Sequence, residues 1–188
     1  MINMQIINTP LKDAKIIIPV IYRDNRGYFF EVFQAEKFKG LEISDNFVQD
    51  NQSYSKFGTI RGLHYQVGKY AQGKLIHVIT GKILDVAVDI RFGSPTYGKH
   101  FSSELSEENH KLSWIPPGFA HGFSVLSKEA IVFYKCTAIY SPKDERGIHY
   151  NDSDLAIDWK IKKPIVSDKD NNYPMFKEIK KDFIFKQL

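Results

Sequence analysis

Between residues 84 and 90, Leu84, Val86, Val88 and Ile90 alternate with Asp85, Ala87 and Asp89. A hydrophobic period of two is the mark of a β-strand with one buried face. Leu75-Ile76-His77-Val78-Ile79 precedes this run, and Thr80-Gly81-Lys82 supplies the glycine a tight turn favours, so the two segments are expected to pair as an antiparallel hairpin. Further strands are predicted at residues 15–21, 28–33, 112–115, 122–126 and 131–140. They are separated by turn signals such as Asp24-Asn25-Arg26-Gly27, Phe92-Gly93-Ser94-Pro95, Pro116-Pro117-Gly118 and Ser141-Pro142-Lys143-Asp144. Only residues 34–39 and 173–181 read as helical. Many short strands with Gly/Pro turns and few short helices predict an all-β sandwich or barrel of the jelly-roll type.

The chain has 188 residues, 43% of them hydrophobic, with no break in composition, which predicts a single domain over 1–188 with a sizeable core. Residues 1–10 have no basic segment followed by an apolar one, and no run approaches the roughly 18 apolar residues of a membrane span. The expectation is a cytoplasmic chain without a membrane partner. Cys136 is the only cysteine and lies in an apolar run, so it is expected to be a buried, inert thiol. Net charge is +4, with a basic cluster at Lys177, Lys180, Lys181 and Lys186. There is no helix-turn-helix, zinc finger or RNP-like run, so nucleic acid is not an expected partner. A small anionic ligand needs only two or three well-placed cations.

Chemistry concentrates in Arg61-Gly62-Leu63-His64-Tyr65-Gln66, followed by Gly73-Lys74. A neutral imidazole can take a proton, and nearby cations can hold the negative charge its removal creates. That combination suits carbanion chemistry beside a carbonyl. Cupin-type jelly rolls commonly hold a metal through two histidines one residue apart, a carboxylate and a later histidine. His121, after Pro116-Pro117-Gly118, supplies the later element, but Gln66 stands where the second early histidine would, and Lys69 and Lys74 replace the carboxylate. An ammonium repels a cation, so the pocket is expected to hold no metal and to need no cofactor.

Several ordered motifs together resemble the dTDP-4-dehydrorhamnose 3,5-epimerase family of nucleotide-sugar epimerases, metal-independent cupins. They run from Asp24-Asn25-Arg26-Gly27-Tyr28-Phe29-Phe30-Glu31 and Val48-Gln49-Asp50-Asn51-Gln52-Ser53 through the Arg-Gly-Leu-His segment, Gln72-Gly73-Lys74-Leu75 and the strand at 85–91. Residues 116–123, Tyr134-Lys135-Cys136-Thr137, Asn151-Asp152 and Ile157-Asp158-Trp159 complete the match. The resemblance implies a cupin-type double-stranded β-helix that inverts C3 and C5 of a nucleoside-diphosphate 4-keto-6-deoxyhexose. By the same resemblance His64 is the base, Asp170 its carboxylate partner with Asp168 as the neighbouring alternative, Lys74 the group that steadies the enolate, and Tyr134 the acid on the opposite face. Arg26, Glu31, Gln49, Asn51, Arg61, His121, Glu145 and Lys169 match positions that hold the sugar or the pyrophosphate, and Tyr140 the position that stacks on the base.

Taken alone, His64 and Tyr134 would read as hydrogen-bonded core residues, and His77, His100, His110 and His149 are read as structural or solvent-exposed. The loop at 67–72 is a residue longer than the family's and lacks its proline before Gln-Gly-Lys. A related 3-epimerase or ketoisomerase would use the same base, and a metal-dependent cupin or a non-catalytic sugar binder stands further off. The family resemblance also implies a homodimer whose N-terminal strands join the partner's sheet.

Overall fold

The computed structural model describes residues 4–43 and 46–185; Lys186 of the basic cluster lies outside them. Among the described residues fifteen strands follow one another: β1 (Gln5–Asn8), β2 (Lys15–Ile18), β3 (Tyr22–Asp24), β4 (Gly27–Phe29), β5 (Gln49–Lys56), β6 (Ile60–Gln66), β7 (Lys74–Thr80), β8 (Lys82–Asp89), β9 (Arg91–Phe92), β10 (His100–Ser106), β11 (Leu112–Ile115), β12 (Phe119–Val125), β13 (Glu129–Cys136), β14 (Glu145–Gly147) and β15 (Phe183–Ile184). Two short helices, α1 (Ala35–Lys39) and α2 (Asp168–Asn171), interrupt them. A six-stranded sheet in the order β1-β2-β11-β7-β13-β5 faces a five-stranded sheet in the order β10-β8-β12-β6-β14, and all pairings within both are antiparallel. This is the expected jelly roll.

Ile76, Val78, Ile83, Ala87, Leu105, Ile115, Phe119, Phe123, Val125 and Val132 from both sheets form one interior cluster. The outer face of the five-stranded sheet is covered by the C-terminal segment through Ile148, Leu155 and Trp159. The other sheet is covered in part by Phe38, Leu41 and Ile43 in and after α1. The Gln34 side chain caps α1 by accepting from the Lys37 amide at 2.6 Å.

Three expectations need correction. First, β7 and β8 do not pair: β7 lies between β11 and β13, and β8 between β10 and β12. Gly81 carries the chain from one sheet to the other at φ +82°, where a Cβ would come within 2.1 Å of the Glu129 carbonyl oxygen, so the glycine serves a crossing between layers. Second, β8 is buried on both faces, because Leu84, Val86 and Val88 meet the C-terminal cover while Ile83 and Ala87 enter the interior. Third, residues 173–181 contain only the 3-10 turn Phe176–Glu178.

The strands expected over 15–21, 28–33 and 131–140 are shorter than that, ending at Ile18, Phe29 and Cys136; Pro19 removes a ladder donor just past the first. Strands β5, β6 and β10 carried no clear hydrophobic period. In β5 the inward residues are Gln49, Asn51, Ser53 and Ser55; Gln49 and Asn51 are polar where they face a cavity rather than the core. No helix among the described residues is long and apolar enough to cross a membrane.

Candidate active site

The two sheets leave a cavity of about 280 Å³ at one end of the sandwich, lined by Gln49, Asn51, His64, Tyr65, Gln66, Gln72, Lys74, Tyr134, Tyr140 and Glu145. His64 comes from β6 of one sheet. Lys74 on β7, Tyr134 on β13 and the two β5 amides come from the other. A bound molecule would therefore have the imidazole on one side and the phenol and ammonium on the other.

His64 is placed by an unusual approach of backbones. Gly62 has φ +129°, and a Cβ there would lie 2.5 Å from the Gly122 Cα, so β6 and β12 can come together only with glycine at that point. The β12 register shifts between His121 and Phe123, and His121 becomes the cross-strand neighbour of His64. Behind His64, Ser167 caps α2 by accepting from the Asp170 amide at 3.1 Å. Asp170 is thereby turned inward, with Oδ1 2.7 Å from His64 Nε2 and Oδ2 accepting from the Gly62 amide at 3.2 Å. Asp168 is exposed and Asp170 buried, so the geometry selects Asp170.

Burial alone would push the Asp170 carboxyl up, but the bonds from His64, Gly62 and Ser167 and the charge of the ring outweigh it and hold the group below the usual carboxylate range. With the ionised carboxylate assigned as acceptor of the Nε2 proton, the ring has Nδ1 as the nitrogen that can take a further proton. Tyr173 packs edge-on against the imidazole with ring centroids 5.7 Å apart.

Burial pushes the Tyr134 phenol up, with the Cys136 thiol adding to it and Arg61 opposing, so the hydroxyl keeps its proton. Burial pushes the Lys74 ammonium down, against Cys136, Glu145 and Asp85. Glu145 and Lys169 close one side of the mouth. Glu145 Oε2 accepts from Lys169 Nζ at 2.5 Å and from the Tyr140 hydroxyl at 2.7 Å, and the Tyr140 amide donates to Gln49 Oε1 at 2.8 Å. A groove of about 590 Å³ continues past His64 along Lys56, Arg61, Ser167, Lys169 and Asp170. Arg61 is braced there by Nε donating to Ser55 Oγ at 3.0 Å.

Of the residues singled out in the sequence, His64, Lys74, Tyr134, Gln49, Asn51, Tyr140 and Glu145 share the cavity, and Arg61, Lys169 and Asp170 share the groove beside it. His121 lies buried beneath, its Nε2 2.7 Å from Asp85 Oδ1. Arg26 and Glu31 line neither space. Arg26 pairs with Asp24 at 2.6 Å on the exposed β3–β4 hairpin, and Glu31 with Lys37 at 2.8 Å.

Gln66, read as a vacant ligand position, is tied down on both ends of its amide, donating to Tyr70 O at 2.8 Å and Ile139 O at 3.1 Å and accepting from the Ser141 amide at 2.7 Å. Sequence reasoning passed over Tyr65, Gln72, Asp85 and Tyr173. Tyr65, Gln72 and Asp85 lie inside the quoted motifs but were given no role there, and nothing in the pattern marked Tyr173. Cys136 is buried, and its sulfur accepts from Asn51 at 3.5 Å. None of His77, His100, His110 and His149 lines the cavity or the groove.

A jelly roll with a histidine–carboxylate pair facing a phenol and an ammonium across one cavity holds the groups that a proton-transferring enzyme needs. Comparison narrows the class. The sequence profile described as dTDP-4-dehydrorhamnose 3,5-epimerase matches residues 8–178. The chain is 47% identical over 176 residues to the dTDP-4-dehydrorhamnose 3,5-epimerase of Shigella flexneri, covering 92% of this chain and 96% of that protein. It is 48% identical over 183 residues to the Methanothermobacter thermautotrophicus enzyme of the same name, covering 95% and 97%. The crystal structure of the dTDP-6-deoxy-D-glucose-3,5-epimerase of Legionella pneumophila in complex with dTDP-4-keto-L-rhamnose superposes with a TM-score of 0.95 at 48% identity, covering 98% of this chain and all of that one. The chain belongs to the dTDP-4-dehydrorhamnose 3,5-epimerase family.

Proposed function

We propose that this protein, acting as one domain, converts dTDP-4-dehydro-6-deoxy-D-glucose to dTDP-4-dehydro-L-rhamnose by inverting C3 and C5. The observation that carries the reading is the placement of His64–Asp170 on one sheet and of Tyr134 and Lys74 on the other, facing one cavity. His64 Nδ1 takes the proton from the carbon beside the C4 ketone, and the C–H electron pair passes into an enolate. Asp170 steadies the imidazolium that results. The Lys74 ammonium faces the enolate oxygen, where its charge is worth most because the site is desolvated. Tyr134 then gives its hydroxyl proton to the opposite face of the carbon; the tyrosinate recovers a proton from solvent and the imidazolium returns one to it, which readies both groups for the second inversion. Both C3 and C5 flank the same carbonyl, so one ammonium serves both inversions.

Arg61 and Lys169 in the groove, with Lys56, supply cations for a diphosphate, and the half-exposed Tyr140 ring at the mouth supplies a surface for the base. The exposed hairpin bearing Tyr22, Arg26, Tyr28 and Phe29 supports a homodimer in which a second copy of the chain covers it. The test is a pair of variants assayed for substrate proton exchange in deuterium oxide. His64→Asn is expected to abolish exchange, and Tyr134→Phe to leave exchange measurable while impairing inversion. Normal exchange by the His64 variant refutes the assignment.

A further inference from the structure

Two aspartates on β8, four residues apart, are buried in different company. Asp89 is fully enclosed and fully partnered. Its Oδ1 accepts from the Arg91 amide and Nε, both at 2.9 Å, and its Oδ2 from Arg91 Nη2 at 2.8 Å, Ser94 Oγ at 2.6 Å and Thr96 Oγ1 at 2.7 Å. Asp85 is 3% exposed, yet among the described residues its one hydrogen bond is Oδ1 to His121 Nε2 at 2.7 Å. Burial pushes the His121 ring toward its neutral form even against the pull of Asp85, so the histidine satisfies a lone pair and not the charge. A buried carboxylate without a counter-cation is costly.

Lys74 is the converse case. Among the described residues its ammonium makes no hydrogen bond and has no carboxylate within 4 Å. Its side chain leaves β7 on the face that carries Ile76 and Val78, and Asp85 leaves β8 on the face that carries Ile83 and Ala87. All four of those apolar residues meet in the interior cluster, so Lys74 and Asp85 project into the same space from opposite sheets.

Of the other elements around Lys74, Cys136 and Glu145 also favour the ammonium, ahead of Asp85, but neither is an uncommitted carboxylate. On β13, the Tyr134 phenol and Cys136 thiol are pushed up by burial and stay neutral. From β5 come the uncharged Asn51 and Gln49, and from β11 Trp114 and Ile115. On β6, His64 is engaged by Asp170. On β14, Glu145 is committed to Lys169 and Tyr140. Asp85 on β8 is the carboxylate whose charge is not otherwise taken.

We infer that Asp85 is the counter-charge of Lys74, a positioning residue that keeps the ammonium protonated from across the sandwich while leaving its N–H groups free to face the substrate. A direct salt bridge would occupy those donors, whereas a carboxylate held at a distance favours the cation without quenching it. The inference rests on the reading that Lys74 faces the enolate oxygen.

The test is a titration of the full chain carrying ¹³Cε-lysine, followed by NMR, with the Lys74 signal assigned by its loss in Lys74→Met. In Asp85→Asn the Lys74 midpoint is expected to fall by about one pH unit or more, the size of effect a nearby opposite charge produces. The high-pH limb of the kcat/KM profile on dTDP-4-keto-6-deoxyglucose should move down with it. Asp85→Glu, which keeps the charge, should hold both near the wild-type values. An unmoved Lys74 midpoint in Asp85→Asn overturns the inference whatever the activity. Should Asp85→Asn fail to fold, the double variant with Lys74→Met decides: recovery of folding supports the charge pair, and continued failure assigns Asp85 a packing role and overturns it. The titration needs no substrate, so a wild-type protein without epimerase activity would remove the functional reading and leave this inference separately tested.

Discussion

Replacing Asp170 by asparagine isolates one charge at the centre of the site. Asparagine keeps the volume of a residue that is 4% exposed, and its amide oxygen can still accept from His64 Nε2, now 2.7 Å from Asp170 Oδ1. It cannot stabilise the imidazolium formed when the ring takes the substrate proton. With charge centres about 4 Å apart and an effective dielectric near 20, that attraction is worth about 4 kcal/mol. At roughly 1.4 kcal/mol per tenfold in rate, the full effect is about 10³. Water reaching the half-buried ring would recover part of it, so kcat should fall by about 10²- to 10³-fold. KM should change little, because Asp170 lies behind the base and acts on the transition state. The assay is wash-in of deuterium at the carbon beside the ketone, with a thermal melt to show the fold intact. A folded Asn variant within about fivefold of wild type would refute the role given to the carboxylate.

Three further outcomes follow from the same geometry. Asp89→Ala strips the Arg91 guanidinium of its main buried partner and should destabilise the fold by roughly 3–5 kcal/mol in urea unfolding; a loss under about 1 kcal/mol would contradict this. The Asp89 and Asp170 carboxyls both lie below their ordinary range: burial pushes each up, and Arg91, Ser94 and Thr96 in one case and His64, Gly62 and Ser167 in the other more than reverse it. Folded values below unfolded ones mean that the stability they confer is complete above the unfolded value near 4 and is lost as pH falls through the folded one, so unfolding midpoints should drop on acidification below about pH 4, and a flat profile there would be inconsistent. Chelation should leave activity intact, because Gln66 is bound to backbone and an ammonium stands in the cavity; loss restored by one divalent ion would overturn that expectation.

The jelly roll was legible because Gly and Pro punctuated short apolar runs, and the residues meeting at the cavity were legible through the family resemblance that their motifs carry. The pairing of strands was less so. The glycine of Thr80-Gly81-Lys82 suits a hairpin as well as a crossing between sheets, and only the positions of β11, β12 and β13 decide between them. The alternation in β8 suggested an exposed polar face, whereas both carboxylates are buried, Asp85 against His121 from β12 and Asp89 against Arg91 two residues further along the chain. Strand β5 was hidden because its inward face serves a polar cavity and so lacks a hydrophobic period. Tyr173 was read as the start of a helix, and its contact with His64 depends on how the chain turns after α2. Arg26 and Glu31 carry the motif of a binding segment, but within one chain they bond to Asp24 and Lys37.

The most direct test of base and acid on opposite sheets serving both carbons is incubation of the purified protein with dTDP-4-keto-6-deoxyglucose in deuterium oxide, with product analysed by NMR. The expected product is inverted at C3 and C5 and carries deuterium at both. Label at C3 alone, label moving with the carbonyl to C3, or no label would contradict the proposed double inversion.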